Sequence, residues 1–455
     1  MGLRRRYRRP LRPVPTTARP AASDVMAGPA AAEEKLAEYG TQIFESLKGG
    51  ETLLPSVSRY QLKEQLGEGG MGTVFLADHI SEGGIRKPVA IKVLKEMADA
   101  AAAERFMKEA QLLAHLSHGT IVELLAMESM EVTLRSRQPS RFAPVTPRKA
   151  KLYFMVMEYV DGPSFEEVIR NHAENVLLMH PAIVGFVMNK AAVALAEAHS
   201  LTDEATGRPL NLVHRDLTPS NILFNAKAGI TKLADFGVAK AFTIDADSEE
   251  EIVGKPRYMA PEQLDAAACP ASDIWSLGIT AYEALTGFAP YRTFGKLFRE
   301  KALNLRRQFS YALRPPKEIL SYRDPRFDLE IFSDIIMRCL RQEPEARPTA
   351  QELNSLLEGR FLYNKGLGPT NKTLAAYLRL LEHAVGESVI IPPEGYDQTD
   401  DAKTICSTLW VRNPLEAFRR RSTSAYHPEF VRAAKAGEPN PCLYPEASGI
   451  FQPVL

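Results

Sequence analysis

Gly67-Glu68-Gly69-Gly70-Met71-Gly72 lies between two runs that both read as β-strands, Tyr60 to Leu66 before it and Thr73 to Ala77 after it. The flanks constrain the fold more than the glycines do. A dinucleotide-binding crossover needs a helix directly after its glycines, and none is predicted here. A phosphate-binding P-loop needs Gly-Lys-Ser/Thr, which is absent. What remains is a glycine turn joining two antiparallel strands. Its bare backbone N–H groups can close over phosphate oxygens because no side chains stand in the way.

The next strand, Val89-Ala90-Ile91-Lys92-Val93, carries a lysine among apolar neighbours. Such a lysine often sits on the solvent face of its strand, but the predicted helix from Ala100 to Leu116 argues otherwise. Its inward stripe of Phe106, Ala110, Leu112, Leu113 and Leu116 also carries Glu109. A carboxylate there calls for a cation, and Lys92 is the expected partner.

Further on, Val213-His214-Arg215-Asp216-Leu217-Thr218-Pro219-Ser220-Asn221 forms a short loop between apolar runs. Transfer of a phosphoryl group from a nucleotide needs a carboxylate to accept the proton of the attacking hydroxyl. It also needs oxygen ligands for magnesium. Asp216 and Asn221 have the spacing for those tasks, and the carboxylate of Asp235, in Asp235-Phe236-Gly237, supplies a second magnesium ligand. Ala260-Pro261-Glu262 and Ser272-Asp273-Ile274-Trp275 follow, then an amphipathic stretch over 326–342 and Glu345-Ala346-Arg347-Pro348-Thr349. A buried Glu262–Arg347 pair is expected to clamp this region.

Each of these words is weak alone, but their conjunction, in this order, resembles a eukaryotic-type (Hanks-type) protein kinase over residues 58–360. The wording Gly-Glu-Gly-Gly-Met-Gly and the run Gly207 to Val213 ahead of His214 resemble bacterial, particularly myxobacterial, serine/threonine kinases. The resemblance implies an α+β bilobal fold, with a small β-rich N-lobe over 58–160 and a mainly helical C-lobe over 161–360. It implies ATP and Mg2+ as cofactors and proteins as substrates, with self-association for autophosphorylation and a role in bacterial signalling. Lys92, Glu109, Asp216, Asn221 and Asp235 would be catalytic, and Asn221 and Asp235 would hold the metal. Gly67, Gly69 and Gly72 would cover the phosphates. Leu66, Val74, Ala90 and Leu223 would sandwich the purine, with Met157 as gatekeeper, Glu158 and Val160 as hinge contacts and Ser164 near the ribose.

Two departures from the family pattern stand out. Thr218 occupies a position usually held by lysine, and Lys255 one usually held by threonine. The expectation is an exchange, in which Lys255 supplies charge beside the γ-phosphate while Thr218 bonds Asp216. The alternative is a solvent-facing Lys255 and a weakened site. The usual phosphosite position falls near Glu251, in an acidic run with Thr243 and Ser248 as lesser sites. A carboxylate there would partly stand in for phosphate opposite Arg215. A pseudokinase would have lost one of Lys92, Asp216, Asn221 or Asp235, and none is lost. A small-molecule phosphotransferase lacks a use for Ala260-Pro261-Glu262 and the Asp273 helix, and Pro219 resembles the serine/threonine form over the tyrosine form.

Outside that match the chain says less. Residues 1–57 are rich in Arg and Pro at the start, with Met26 as an alternative start and a plausible helix from Ala30 to Leu47. Residues 130–151 read as a basic insertion with a mobile, solvated loop. The extension 361–455 carries one predicted helix, Lys372 to Ala384, capped by Thr370-Asn371, with Leu374, Tyr377, Leu378 and Leu381 on one face. The formal net charge is zero, so nothing global argues for nucleic acid. No apolar run was expected to reach the roughly 20 residues of a membrane span. Scattered Cys269, Cys339, Cys406 and Cys442 suit free thiols and a cytoplasmic location.

Overall fold

The structure is a computed structural model that describes residues 51–54, 60–68, 72–94, 107, 110–111, 113–136, 148–174, 178–202, 207–208, 210, 212–236, 255–295, 297–320, 327–366, 368–384 and 442. Its N-terminal part is one antiparallel sheet. The strands are β1 (Glu51–Leu54), β2 (Tyr60–Glu68), β3 (Gly72–Ile80), β4 (Arg86–Leu94), β5 (Leu124–Ser136) and β6 (Arg148–Glu158), in the order β1-β5-β6-β4-β3-β2. The sheet thus takes in Glu51–Leu54, ahead of residue 58. As the flanking strands required, the glycine stretch joins β2 to β3.

Register decides which side chains meet. Val74 pairs with Lys92, Leu76 with Ala90, Ala90 with Met157 and Lys92 with Met155. With a side-chain period of two, Val74, Leu76, Ala90, Lys92, Met155 and Met157 therefore share one face of the sheet. Phe75, Ile91 and Val156 point to the other face, and all three are buried. A shift in pairing between Gln65 and Gly67 leaves Leu66 at a bulge, 44% exposed at the strand's end.

The expected insertion over 130–151 is in part a longer hairpin. Pairing of β5 with β6 continues from Leu124 and Met157 out to Leu134 and Arg148. Glu131-Val132-Thr133-Leu134 alternates β-prone residues, so the ladder propagates past the point where the composition turns basic. Residues 137–147, the helix expected over 30–47 and most of the one over 100–116 lie outside the described residues.

The C-terminal part holds α1 (Phe165–Glu174), α2 (Pro181–Ser200), the hairpin of β7 (Ile222–Asn225) and β8 (Ile230–Leu233), α3 (Pro270–Thr286), α4 (Phe298–Phe309), α5 (Pro316–Ile319), α6 (Leu329–Cys339), α7 (Ala350–Leu356) and α8 (Asn371–Ala384). Helix α2 is its axis. Pro181 opens it at a position where a missing N–H costs nothing, and the ring of His180 accepts from Ala182 N. By length and composition α2 could cross a bilayer, contrary to the sequence expectation, but 78% of its apolar window is buried inside the molecule. It is a core helix wrapped by α3, α6 and α7.

Helix α3 begins after Cys269, whose N–H is accepted by Ser272 Oγ, and stops at Gly287, where φ is 77°. Trp275 and Tyr282 on it are fully buried. Helix α8 starts as expected, with Thr370 Oγ1 accepting from Thr373 N at 3.3 Å. Leu374, Tyr377, Leu378 and Leu381 join the same hydrophobic core as α2 and α3. Far along the chain, Cys442 is also buried, and its carbonyl accepts from Arg314 N at 2.8 Å.

Candidate active site

Lys92 sits mid-strand on β4 with 8% of its surface exposed. Its ammonium donates to Asp235 Oδ1 at 3.1 Å. Asp235 lies two residues past the end of β8 and adopts φ 54°, a left-handed conformation that a non-glycine residue holds only when its surroundings demand it. Its side chain is 41% exposed, so the carboxylate faces both the buried lysine and the cleft. Glu109, the partner expected for Lys92, lies outside the described residues.

The loop 213–221 is held mainly through its backbone. Asp273, buried near the start of α3, accepts from His214 N at 2.8 Å, Arg215 N at 2.9 Å and His199 Nε2 at 2.8 Å. Gln263 donates to the Arg215 carbonyl. Arg215 is itself left-handed at φ 64°, and the two N–H groups on Asp273 hold that turn. His214 is fully buried; its Nε2 meets the Ala234 carbonyl at 2.9 Å, next to Asp235. Burial depresses the His214 imidazole despite the carboxylates of Asp273 and Asp216 nearby. A neutral ring donating to Ala234 ties the 213–221 loop to the Asp235 turn.

Asn221 closes the loop. Its amide Nδ2 donates to the Asp216 carbonyl at 2.8 Å, which leaves the amide oxygen Oδ1 as the group that could ligate a metal. Asn221 N also caps on the Thr218 carbonyl, and Ala234 N donates to the Asn221 carbonyl. Asn221 and Asp235 thus come from neighbouring segments joined by backbone hydrogen bonds. Among the described residues no group of three His, Cys, Asp or Glu side chains could hold a metal. An amide oxygen plus one carboxylate suits magnesium, which keeps water and phosphate among its ligands and does not need an all-protein cage.

The residues expected around the purine are mostly apolar and shielded. Ala90 and Val160 are buried, Val74, Met157 and Leu223 half-buried, and Leu66 is exposed. Ser164 pairs across to Leu223 and caps α1 reciprocally: Glu167 N donates to its Oγ, and Ser164 N donates to Glu167 Oε2 at 2.8 Å. Glu158 is more occupied than expected. Its carboxylate takes Lys232 Nζ at 2.7 Å and its N–H goes to the Glu123 carbonyl. Gly67 is described, Gly72 opens β3, and Gly69 lies outside the described residues.

Lys255 has a partner that was not expected from the sequence. Its ammonium pairs with Glu166 in the first turn of α1, and both side chains are about one-third exposed. Thr218, buried, lies with its Oγ1 2.7 Å from Ser220 Oγ. Glu166 is a fixed carboxylate within reach of Lys255, and pairing with it satisfies the lysine without a bound phosphate. The clamp is as expected: Arg347 meets Glu262 through two bonds, of 2.7 and 2.9 Å, and stacks on Trp275 at 5.0 Å. Burial raises the Glu262 carboxyl, but hydrogen bonds from Arg347 and Ser272 outweigh it and hold the carboxyl below its ordinary range. Glu251, Thr243 and Ser248 lie outside the described residues.

The roles of Asp273, His199, Gln263 and Lys232 in supporting the site were not read from the sequence. In the sequence Asp273 stands out only as part of a helix motif. A buried acid at a helix start was the available signal.

Comparison with known proteins agrees with this geometry. The family described as "Protein kinase domain" matches residues 60–356. The chain is 33% identical over 333 residues to "Tyrosine-protein kinase MasK" of Myxococcus xanthus, covering 72% of this chain and 46% of that protein. It is 31% identical to "Serine/threonine-protein kinase PkaA" of Streptomyces coelicolor, covering 69% and 51%. It is 34% identical to "Serine/threonine-protein kinase PknB" of Mycobacterium tuberculosis, covering 51% and 33%. The chain spans about half the length of the first two of these relatives.

Proposed function

Since residues 60–356 match the protein kinase domain, this chain belongs to the protein kinase family, and we propose that it is an active enzyme moving the ATP γ-phosphoryl to Ser or Thr hydroxyls of proteins. The observation that carries the reading is the joint placement of Lys92, Asp216, Asn221 and Asp235. Lys92 and Asp235 touch, and Asn221 and Asp216 are hydrogen-bonded within one braced loop. A binding module without catalysis would have no reason to keep all four.

When bound, ATP supplies the phosphoryl group and Mg2+ offsets its charge. The rest falls to the chain's own residues, and it is positioning and electrostatics more than covalent chemistry. Lys92 holds a cation on the cleft face of the sheet, where the nucleotide phosphates would lie. Asp235 and the Asn221 amide oxygen would hold the metal. Asp216 accepts the acceptor hydroxyl's proton, its backbone N–H and carbonyl fixed by His214 and Asn221. Leu66, Val74, Ala90 and Leu223 take the purine, with Ser164 at the ribose edge.

The catalytic domain in this reading runs over 58–360, with 1–57 and 361–455 as flanking segments. Bacterial signalling through protein substrates, self-association for autophosphorylation and a cytoplasmic location belong to the same proposal. The three described cysteines are free thiols, which suits a reducing compartment. The Ser/Thr assignment rests on Pro219 and on the printed names of PkaA and PknB; MasK is named a tyrosine kinase.

The test is incubation with labelled ATP and magnesium, wild type beside Asp216→Asn. We expect labelling to drop at least about a hundredfold in the variant. Equal labelling would refute catalysis at this site. Phosphosite mapping of the wild-type product then reads the acceptor, and phosphotyrosine alone would overturn the Ser/Thr assignment.

A further inference from the structure

The family match ends at residue 356, yet α8, beginning at Asn371, is built into the same lobe. It makes two contacts that a merely adjacent helix would not need. The first is with α1: Tyr377 is completely buried, its hydroxyl 2.6 Å from His172 Nε2, and the two rings stack with centroids 5.8 Å apart. The other His172 nitrogen, Nδ1, lies 2.8 Å from the Val168 carbonyl on α1. Both nitrogens are therefore spent, one on α1 itself and one on α8.

The second contact is with the β7–β8 turn. Gly229 has φ 64° and its N–H returns to the Asn225 carbonyl. A Cβ at Gly229 would overlap the Asn371 carbonyl oxygen and press on Ala375 N. The backbone of α8 thus lies directly on the turn, in space that only glycine leaves open.

These two contacts fall on the two elements that carry Ser164 and Leu223, the residues the kinase reading sets at the ribose and the purine. Ser164 caps α1 and bridges to Leu223 on β7, and Phe165 packs edge-on against Phe224 at 5.6 Å. Strand β8 runs on toward Asp235. Resting on the kinase reading above, we propose that α8 is a positioning element of the nucleotide site, with Tyr377 and Asn371 setting α1 against the β7–β8 hairpin and so fixing Ser164 and Leu223. The functional unit then extends to Ala384.

The experiment uses the full chain and equilibrium binding of a fluorescent ATP analogue with magnesium. Tyr377→Phe keeps the ring and removes the hydroxyl; Gly229→Ala inserts a methyl under α8; Ile336→Val trims the α6 core away from α8. We expect the first two to weaken nucleotide binding about threefold to tenfold and to raise KM for ATP equally, with kcat at saturating ATP unchanged. Ile336→Val should lower the melting temperature and bind nucleotide as wild type does. Wild-type affinity in Tyr377→Phe, or equal weakening in Ile336→Val, overturns the proposal, even if Gly229→Ala does not fold. Should the wild type bind no nucleotide, the kinase reading itself falls; should it bind while Tyr377→Phe matches it, only the role of α8 falls.

Discussion

At the scale of single residues, burial has made two histidines into neutral connectors. His172 is 4% exposed, and burial pushes its imidazole down to about 4, with only the Val168 carbonyl opposing. The unfolded chain would protonate near 6.5. Because the folded value is the lower one, acid favours the unfolded chain. The stabilisation is whole above pH 6.5 and is lost as pH falls toward 4. Between pH 7.5 and 5 the loss from this one residue should be roughly 2 kcal/mol. Chemical denaturation of the wild type and His172→Gln at several pH values checks this. The variant should be less stable at neutral pH and should show a shallower decline into acid. Identical pH slopes would mean that His172 does not carry the effect. His214 adds a slope of the same sign, since burial lowers it too.

At the scale of elements, the connections between segments depend on a few buried polar groups. Glu262 lies just after Pro261, in the short helical turn ahead of α3, while Arg347 precedes α7, and their pair joins the two stretches. The arginine side chain is fully buried and also donates to the Arg341, Gln342 and Ala271 carbonyls. Removing it strands a carboxylate and three carbonyls together. Arg347→Ala should therefore cost about 3–5 kcal/mol in urea denaturation. Pairing Arg347→Met with Glu262→Gln should recover part of that loss, because the stranded charge disappears. A double variant as unstable as Arg347→Ala would place the cost in the lost carbonyl bonds. The loop 213–221 obeys the same logic through Asp273, which takes two loop N–H groups and His199 on a single carboxylate. Asp273→Asn should lower kcat at least about tenfold, since the amide can accept but cannot balance all three donors. Nucleotide affinity should change little, and a pure KM effect in steady-state kinetics would contradict this.

At the scale of the molecule, what could be read from the chain divides along sequence distance. The β2–β3 turn, the Lys92 strand, the 213–221 loop, the cap of α8 and even the Glu262–Arg347 pair were legible, because local periodicity or motif order carries them. What was hidden depends on segments meeting after folding. Examples are Asp273 under the His214 turn, Tyr377 on His172, and Lys255 turned to Glu166 where a phosphate contact was expected. No local pattern encodes such partners, and the family pattern says nothing of the Lys255–Glu166 pair. The join between the lobes is of this hidden kind. Ile121 pairs alongside Leu233, Val122 N donates to the Leu233 carbonyl, and Leu233 N donates to that of Thr120. Lys232 on β8 then reaches the Ile121 carbonyl at 3.2 Å and the Glu158 carboxylate at the end of β6. Its side chain is 11% exposed and Glu158's 32%, so water softens the pair without dissolving it. One lysine thus links the β-sheet lobe, the segment before β5 and the hairpin leading to Asp235. Lys232→Met keeps the packed stem and deletes the charge, so the lobes should hold their relative angle less firmly. We expect KM for ATP to rise about threefold with only a small drop in melting temperature. Combined with Glu158→Gln, the two losses should fall short of additive by about 1 kcal/mol, the signature of a direct pair. Strict additivity in that cycle would mean that Lys232 acts on the hinge through the Ile121 carbonyl and not through Glu158.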